Sequence, residues 1–504
     1  MNFRPYLFTA TRAMLVVLGT IGVGYAAPSP VAAPATKPNI IFILSDDLGY
    51  GDVGCYGAKR VRTPHIDRLA REGVRFTDAH TTASVCTPTR YAFMTGQYAW
   101  RKPGTGIARG NSPSLIRPGT PTVPSILKSV GYATGLVGKW HLGLGTTETD
   151  FNAELKPGPL ELGFDYAFFI PATGDRVPCV FVENHRVVGL DPADPIVVSY
   201  GEPIPGEPTA RTHPEMLTIK AGPGHYDAIV HGISRKGFMK GGTKALWRDE
   251  DIADTLTGKA VAFIERQSAE KPFFLYLATH DIHEPMVPHP RFRGTSDCGW
   301  RGDVIHQLDW TVGEVLAALD RRGMTRNTLV IFTSDNGGAL KDTYNDGTNH
   351  LHARQPPNGR LRGKKGELYE GGHRVPFIVR WPGRVRADGT SGALLALVDL
   401  LPSLAALTGA SLRRGSAPDA VNVLRALLGE RGGKARTELV LQNNGPSPLA
   451  LRAGPWVLIE KSGGHELYNL TQDFDQEHDQ AAAEPARVRE LAQRLAAVRA
   501  GRAR

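Results

Sequence analysis

Two acidic pairs in the sequence stand directly after apolar runs that have the length of buried strands. Asp46 and Asp47 follow one such run, and Asp335 and Asn336 follow another. Adjacent carboxylates repel each other unless a cation compensates their charge. Hard oxygen donors that converge from two strand ends suit Ca²⁺, with Mg²⁺ as an alternative, and no His or Cys joins them at zinc-ligand spacing. Either pair alone would equally suit a turn cap, but the two together predict one metal site.

The second chemical feature is the motif Cys86-Thr-Pro-Thr-Arg90, which Thr95-Gly96 follows shortly after. Pro88 suits the first turn of a helix and so places Cys86 at or just before a helix N-terminus. Free amide groups and the helix dipole favour anions there. Cys86 is therefore a candidate nucleophile.

Strands and helices must alternate to position these residues. Continuous apolar runs end in polar residues at four places, and runs of this kind are typical of strands buried on both faces of a parallel sheet. They cover residues 39–44, 133–137, 272–277 and 329–333. Helical patterns lie between them, one beginning at Thr63-Pro64 and one with an apolar stripe from Ile305 to Leu319. This alternation predicts a large, doubly wound, mostly parallel sheet flanked by helices, with the site at the carboxyl ends of the strands.

The rest of the chain predicts the domain organisation. Residues 38–410 form the catalytic α/β domain, and the Pro-, Gly- and His-rich residues 183–242 are a loop insertion over the site. After residue 410, short strand patterns and a final helix predict a smaller domain of antiparallel sheet plus helix over 411–504. Within the insertion, His225, Tyr226 and His231 are candidate subsite residues, with plain loop residues as the equal alternative.

The N-terminal segment predicts export. A charged start, an apolar stretch over 13–23 and small residues after it indicate a signal peptide at 1–26 and a linker at 27–37. The mature protein is expected to be secreted or periplasmic, with no stable membrane insertion. The formal net charge of +9 suits anionic substrates, and no basic run interleaved with aromatics indicates nucleic-acid binding. Apart from Cys86, the cysteines are expected to be buried thiols or one disulfide: Cys55, Cys179 and Cys298.

Cys-x-Pro-Thr-Arg followed by Thr-Gly resembles the signature of the formylglycine-dependent, arylsulfatase-A-like sulfatases of the alkaline-phosphatase superfamily. Six further blocks resemble that family in order, across residues 38 to about 385. They are the strand and metal loop at 39–49, the helix at 63–76, Gly138-Lys-Trp-His-Leu-Gly143, His283-Glu-Pro285, Ser334-Asp-Asn-Gly337 and Lys365-Gly-Glu-Leu-Tyr-Glu-Gly-Gly372.

This resemblance implies a sulfuric ester hydrolase whose cysteine is oxidised to formylglycine by a formylglycine-generating enzyme. The aldehyde hydrate would attack the sulfur of a sulfated small molecule or glycan beside one Ca²⁺ ion. The implied metal ligands are Asp46, Asp47, Asp335, Asn336 and the modified Cys86. The implied catalytic and sulfate-binding residues are Arg90, Lys139, His141, His283, Lys365 and, as a weaker match, Thr173. A sulfated carbohydrate is the expected substrate, with arylsulfate turnover as a side activity.

Several alternatives stay open from the residues. His280 is the alternative to His283 as the acid for the leaving group, although Pro285 favours His283. Lys364 adjoins Lys365 and is the alternative to it at the sulfate-binding position. A phosphomonoester or phosphonate hydrolase shares the in-line geometry of sulfate ester hydrolysis. A non-catalytic binder of sulfated glycans would use the same pocket with an unmodified Cys86.

Overall fold

The apolar runs of the sequence form the centre of a large sheet in the computed structural model. Within the described residues, which are 1–2, 37–339, 344 and 354–501, ten strands pair side by side. Their spatial order is β15 (Gly389–Ser391), β2 (Val74–Phe76), β14 (Phe377–Arg380), β13 (Thr328–Ser334), β1 (Asn39–Ser45), β12 (Phe273–Ala278), β4 (Ala133–Lys139), β5 (Tyr166–Ile170), β6 (Val182–Glu183) and β7 (Arg186–Val187). The five strands from β13 to β5 are mutually parallel, which confirms the predicted fold class.

The central strands β1, β12 and β13 are buried along their whole length. Full burial explains why their sequences are continuously apolar instead of alternating. Antiparallel strands close the sheet at both sides, β14 beside β13 and β6 beside β5. The carboxyl ends of the parallel strands therefore share one edge, which is where the polar clusters of the sequence lie.

The α-helices of the described residues are α1 (Pro64–Arg71), α2 (Cys86–Thr95), α3 (Val123–Ser129), α4 (Ile252–Glu265), α5 (Gly299–Arg321), α6 (Glu370–His373), α7 (Leu400–Thr408), α8 (Leu424–Leu427) and α9 (Pro485–Arg499). Those that flank the large sheet form two groups. Helix α5 contacts α1 and α4, whereas α2, α3 and α7 contact one another. This grouping fits helices that cover the two faces of one sheet.

Helix α1 begins with Pro64, as the sequence predicts, but its first amide groups are satisfied from elsewhere. The side chain of Thr63 makes no capping hydrogen bond. The carboxylate of Asp309 on α5 instead accepts hydrogen bonds from the backbone N–H groups of His65 at 3.0 Å and Ile66 at 2.8 Å. A distant residue thus fixes the start of this helix.

A smaller antiparallel sheet follows in the chain, with strands β17 (Glu438–Gln442), β18 (Leu449–Ala453), β19 (Trp456–Lys461) and β20 (Gly464–Asn469). The sequence patterns indicate the first three strands and miss the fourth. Helix α9, the final helix that the sequence predicts, buries Leu491, Leu495 and Val498 against this sheet. Residues Thr36–Arg504 form one compact unit.

The region 183–242 has little regular structure beyond short strand pairs. Strand β8 (Val197–Ser199) pairs with β11 (Phe238–Lys240), and β9 (Ile229–Val230) pairs with β10 (Ile233–Ser234). A further short pair joins β3 (Ala79–His80) to β16 (Leu395–Ala396) beside helix α2. Loop-to-loop backbone hydrogen bonds, such as that from the Lys236 N–H to the Asp175 carbonyl at 2.8 Å, hold the insertion, together with its side-chain contacts.

The remaining predictions concern the state of the cysteines and the export signal at the N-terminus. All four cysteines are free thiols, and Cys55 is half-buried while the other three are buried. Residues 3–36, which hold nearly all of the predicted signal peptide and linker, lie outside the described residues. Among the residues that are described, no helix is long and apolar enough to cross a membrane.

Candidate active site

The polar pairs of the sequence meet where the central strands end. Ser45 of β1 and Ser334 of β13 are paired in register, so Asp46 and Asp335 leave the sheet side by side. The Asp335 backbone N–H donates to the Ser45 carbonyl at 3.0 Å. Asp47 has a φ of 60°, in the left-handed region, which turns the chain sharply after the strand.

The acidic residues Asp46, Asp47 and Asp335 and the amide of Asn336 are all buried. Asp46 Oδ1 and Asn336 Oδ1 are buried and have no hydrogen-bond partner within the part of the chain that the structure describes. The Asn336 amide nitrogen donates to Asp47 Oδ1 at 2.8 Å and holds these groups together. Unpartnered buried oxygens are costly in the absence of a ligand, and oxygen donors are what Ca²⁺ prefers. The residues present therefore fit a calcium ion.

Positive side chains surround these carboxylates. Lys139 Nζ, at the end of β4, lies 2.5 Å from Asp46 Oδ2, and both side chains are fully buried. Lys365 Nζ lies 2.7 Å from Asp47 Oδ2. Burial, followed by the charge of Asp335, raises the pKa of Asp46 to about 7. Burial also acts to raise the pKa of Asp335, but the charges of Arg90 and the nearby lysines outweigh it and lower that pKa.

Cys86 is the first residue of helix α2, as the position of Pro88 predicts. Its side chain lies at the floor of a cavity, close to the free amide groups of the helix start. One turn later, Arg90 Nε and Nη2 donate to Asp335 Oδ2 at 2.9 and 2.7 Å. Arg90 Nη1 donates to the Lys139 carbonyl at 3.0 Å. The arginine thus joins helix α2, strand β4 and the loop after β13.

The two predicted catalytic histidines differ in which ring nitrogen is available. His141 Nε2 lies 3.0 Å from the Ala108 carbonyl, which can only accept, so the proton is on Nε2. His141 Nδ1 is buried without a partner and is free to accept a proton. His283 Nδ1 lies 2.6 Å from the Glu284 carbonyl, and its Nε2 lies 3.8 Å from Asp47 Oδ2. Burial lowers the pKa of both rings well below the usual value for histidine.

A cavity of about 550 Å³ opens above these groups. Cys86, Asp47, His283 and Lys365 line it, whereas the other predicted site residues are buried and do not line it. Lys364 lines the cavity as well, and its ammonium group lies 4.0 Å from the Glu367 carboxylate. The predicted nucleophile is therefore the group at the bottom of a pocket large enough for a sugar.

A further part of the cavity wall contains His225, which the sequence indicates as a candidate subsite residue, and four residues that it does not indicate as site residues. These four are Asp175, Arg176, Lys236 and Glu284. Asp175 Oδ2 lies 3.0 Å from His225 Nε2 and 3.2 Å from Lys236 Nζ, and both of these partners belong to the insertion. The Asp175-Arg176 pair, two residues after Thr173, was the available signal in the sequence.

Several weaker candidates lie outside this cavity lining. The Thr173 hydroxyl bonds the Asp175 carboxylate and accepts from Arg176 Nη1 at 2.8 Å, so it supports the wall from behind. His280 Nε2 accepts from the Gly174 N–H at 3.2 Å, which is the role of a buried strand-end histidine. Tyr226 and His231 do not line the cavity.

Comparison with known proteins identifies relatives over most of the chain. The Sulfatase family model matches residues 38–410. An N-acetylgalactosamine-6-O-sulfatase of Bacteroides thetaiotaomicron is 48% identical over 480 residues, which are 92% of this chain and 93% of that protein. Human arylsulfatase A is 33% identical over 95% of this chain and 81% of its own length. A solved structure described for glycosaminoglycan metabolism by B. thetaiotaomicron has a TM-score of 0.89 at 48% identity, and covers 92% of this chain and 99% of its own.

Proposed function

The chain belongs to the sulfatase family and is a sulfuric ester hydrolase, and from this premise we propose that it removes the 6-O-sulfate of N-acetylgalactosamine in a sulfated glycan. The observation that carries the proposal is the 48% identity to an N-acetylgalactosamine-6-O-sulfatase over nearly the full length of both chains. The pocket supports it, because a nucleophile at the bottom of a polar cavity suits a sulfate that projects from a sugar ring.

Asp46, Asp47, Asp335 and Asn336 would hold one calcium ion, with the modified Cys86 as a further ligand. When bound, the ion supplies positive charge beside the sulfuryl oxygens and lowers the pKa of a coordinated hydroxyl. The two unpartnered oxygens, Asp46 Oδ1 and Asn336 Oδ1, support this assignment. Magnesium is the alternative, since it prefers the same donors with stricter geometry.

Cys86 would act after oxidation to formylglycine by a formylglycine-generating enzyme. The hydrated aldehyde carries two hydroxyl groups on one carbon. The first would pass its proton to Asp335 and attack sulfur, while the bond from sulfur to the sugar oxygen breaks and that oxygen takes a proton. The second would then lose its proton to His141, so that the carbon–oxygen bond to sulfate breaks and the aldehyde forms again. Neither a serine nor a plain thiol has this second hydroxyl, which is why the chemistry needs the modified side chain.

The surrounding residues position and neutralise charge in this reaction. Arg90, fixed by two hydrogen bonds to Asp335, would orient the hydrated aldehyde. Lys139 and Lys365 would neutralise the sulfuryl oxygens. Both ammonium groups lie within 2.7 Å of the metal-site carboxylates and are therefore beside the place where the sulfate group would bind.

The two histidines would move protons in opposite directions. His141, with its proton held on Nε2 by the Ala108 carbonyl, offers Nδ1 as the base for the second hydroxyl. His283 would protonate the leaving sugar oxygen from Nε2, since Nδ1 is committed to the Glu284 carbonyl. To donate this proton, His283 must first be in its charged imidazolium form. The negative charges of the bound sulfate ester and of Asp47, at 3.8 Å, favour that form.

The part of the cavity wall around Asp175 would select the sugar. Asp175 and Arg176, supported from behind by Thr173, offer acceptors and donors to ring hydroxyls. His225 Nδ1 is buried without a partner and could accept one more hydrogen bond. A site built to bond hydroxyl groups rejects sugars that present them elsewhere, because its buried polar atoms then remain unpaired.

The proposal extends to maturation and location. Export through the signal peptide at 1–26 would place the protein in the periplasm or outside the cell, where glycan substrates occur. The catalytic domain would span 38–410, and the C-terminal domain 411–504. The second domain reaches the active-site helix, since Gln442 O accepts from the Ser84 N–H at 3.0 Å, two residues before Cys86.

The test is the release of inorganic sulfate, measured by ion chromatography, from N-acetylgalactosamine 6-sulfate and from two isomers. We expect the 6-sulfate of galactosamine to be hydrolysed about tenfold or more faster than N-acetylglucosamine 6-sulfate and N-acetylgalactosamine 4-sulfate. The Cys86→Ala variant is the control and should release none. Equal rates on all three sugars, or faster hydrolysis of a phosphate monoester, would contradict the proposal.

A further inference from the structure

A second cleft lies outside the active site, between the loop at 54–63, helix α1 and helix α5. Its volume is about 820 Å³, which exceeds the 550 Å³ of the catalytic cavity. Cavities of this size hold ligands larger than a single sugar ring. None of the predicted catalytic or metal-binding residues lines it.

The cleft presents cations that no carboxylate neutralises. Lys59, Arg62 and Arg71 line it, all three are exposed, and none has an ion-pair partner among the residues that the structure describes. Cations that flank the cleft are paired instead. Arg60 pairs with Asp297, and Arg291 pairs with Asp254 at 2.6 Å. The three cations of the cleft lining are therefore left facing solvent.

The two carboxylates of the cleft point into the protein. Asp67 Oδ1 accepts from the Cys55 N–H at 2.7 Å and from the Thr63 hydroxyl at 3.2 Å. Asp309 accepts from the first amide groups of α1. These hydrogen bonds hold both carboxylates against backbone groups and the Thr63 hydroxyl, and neither carboxylate forms an ion pair with the three exposed cations. The lining therefore carries three exposed cations against two carboxylates that are held by the protein.

The cleft is also preformed and partly apolar. Gln355 Oε1 accepts from the backbone N–H groups of Lys59 and Arg60 at 3.1 and 3.2 Å, which fixes the loop. Trp310, half-buried on α5, contributes part of its ring to the lining, and the Arg291 guanidinium lies 4.4 Å from the ring centroid. An aromatic plane with cations around it fits a sugar ring that carries anionic groups.

We propose that this cleft binds a second stretch of a sulfated glycan chain, so that the enzyme holds a polymeric substrate at two places. The identity of the polymer rests on the proposed function, but the binding does not depend on the chemistry of Cys86. A chain that contacts both sites dissociates more slowly than a single sugar, since the second contact is intramolecular. The cleft therefore favours oligosaccharides over monosaccharides without touching the reacting ester.

The experiment compares two triple variants in the Cys86→Ala background, which prevents turnover. Lys59→Gln, Arg62→Gln and Arg71→Gln together remove the cleft cations. Arg413→Gln, Arg414→Gln and Lys434→Gln remove three other exposed cations that line none of the described catalytic or cleft cavities, and so match the change in net charge. The probes are a purified chondroitin 6-sulfate oligosaccharide and N-acetylgalactosamine 6-sulfate, with affinity measured by calorimetry.

We expect the cleft variant to bind the oligosaccharide about three- to tenfold more weakly at moderate salt, with a smaller salt dependence. Its affinity for the monosaccharide and its turnover in the Cys86 background should be unchanged. An equal loss in the matched control would show that only net charge matters, and would overturn the proposal. The proposal would also be overturned if single-stranded DNA bound through the same three residues as tightly as the sulfated oligosaccharide does. Failure of the proposed function would appear separately, as absent sulfate release.

Discussion

Replacing Arg235 by methionine should destabilise the insertion more than any change at its surface. Arg235 is fully buried and donates to both oxygens of Asp249, with Nη1 at 2.9 Å from Oδ1 and Nη2 at 2.6 Å from Oδ2. Nη1 also donates to the Gly174 carbonyl at 2.5 Å, beside the cavity wall. The substitution leaves a buried carboxylate without its counter-ion, which costs about 3–5 kcal/mol.

The predicted loss of unfolding free energy is measured by urea unfolding of the purified full-length protein. Arg248→Met is the matched control, because Arg248 is exposed and pairs with Glu250 at 2.8 Å. Because solvent screens an exposed pair, its loss should change the unfolding free energy little. The double variant Arg235→Met, Asp249→Leu removes both charges and should recover most of the lost stability.

The result also has a functional consequence. Since Arg235 holds Gly174, its loss should raise KM for the sugar sulfate more than it lowers kcat. A loss of unfolding free energy no larger than that of Arg248→Met would refute the reasoning, as would a double variant less stable than Arg235→Met alone. Either result would mean that the pair does not anchor the insertion.

Three further predictions concern proton transfer, pH and the metal. His283→Ala should slow hydrolysis of a sugar sulfate by about 10²–10⁴-fold and of an aryl sulfate with a good leaving group much less; equal losses in kcat on both substrates would argue against its role as the acid. Burial raises the pKa of Asp309 to about 7, so folding disfavours its ionised form, and stability falls as pH rises from the unfolded pKa of about 4 to about 7. The loss amounts to about 1.4 kcal/mol of unfolding free energy per pH unit, and the Asp309→Asn variant should lack it. Urea unfolding of both proteins at pH 5 and pH 8 measures the difference, and the same change with pH in both would contradict the raised pKa of Asp309. Removal of metal with a chelator should abolish sulfate release and lower Tm, with recovery on Ca²⁺; recovery on Zn²⁺ alone would be inconsistent with an oxygen-donor site.

The sequence was most informative where local rules decide the structure. Continuous apolar runs predict the central strands, and the polar residues directly after β1 and β13 meet because parallel strands end at one edge. Pro88 likewise places Cys86 at the start of helix α2. In each case the spacing along the chain fixes the position in space.

Residues brought together by long-range packing could not be predicted in this way. The cavity wall combines Asp175 with His225 and Lys236, 50 and more positions later, from an insertion without periodicity. Asp309 caps a helix 244 positions earlier in the chain, where the local sequence pointed to Thr63. Such pairings depend on the tertiary structure, and a short strand such as β20 carries too few apolar residues to show its period.

The most direct test of the account is mass spectrometry of the tryptic peptide Phe76–Arg90 from protein made in its native host. The account predicts that Cys86 is present as formylglycine or its hydrate, in which an aldehyde oxygen replaces the thiol. The same peptide from active fractions should carry the modification in proportion to sulfate release. Full activity in protein whose Cys86 remains an unmodified thiol would contradict the account.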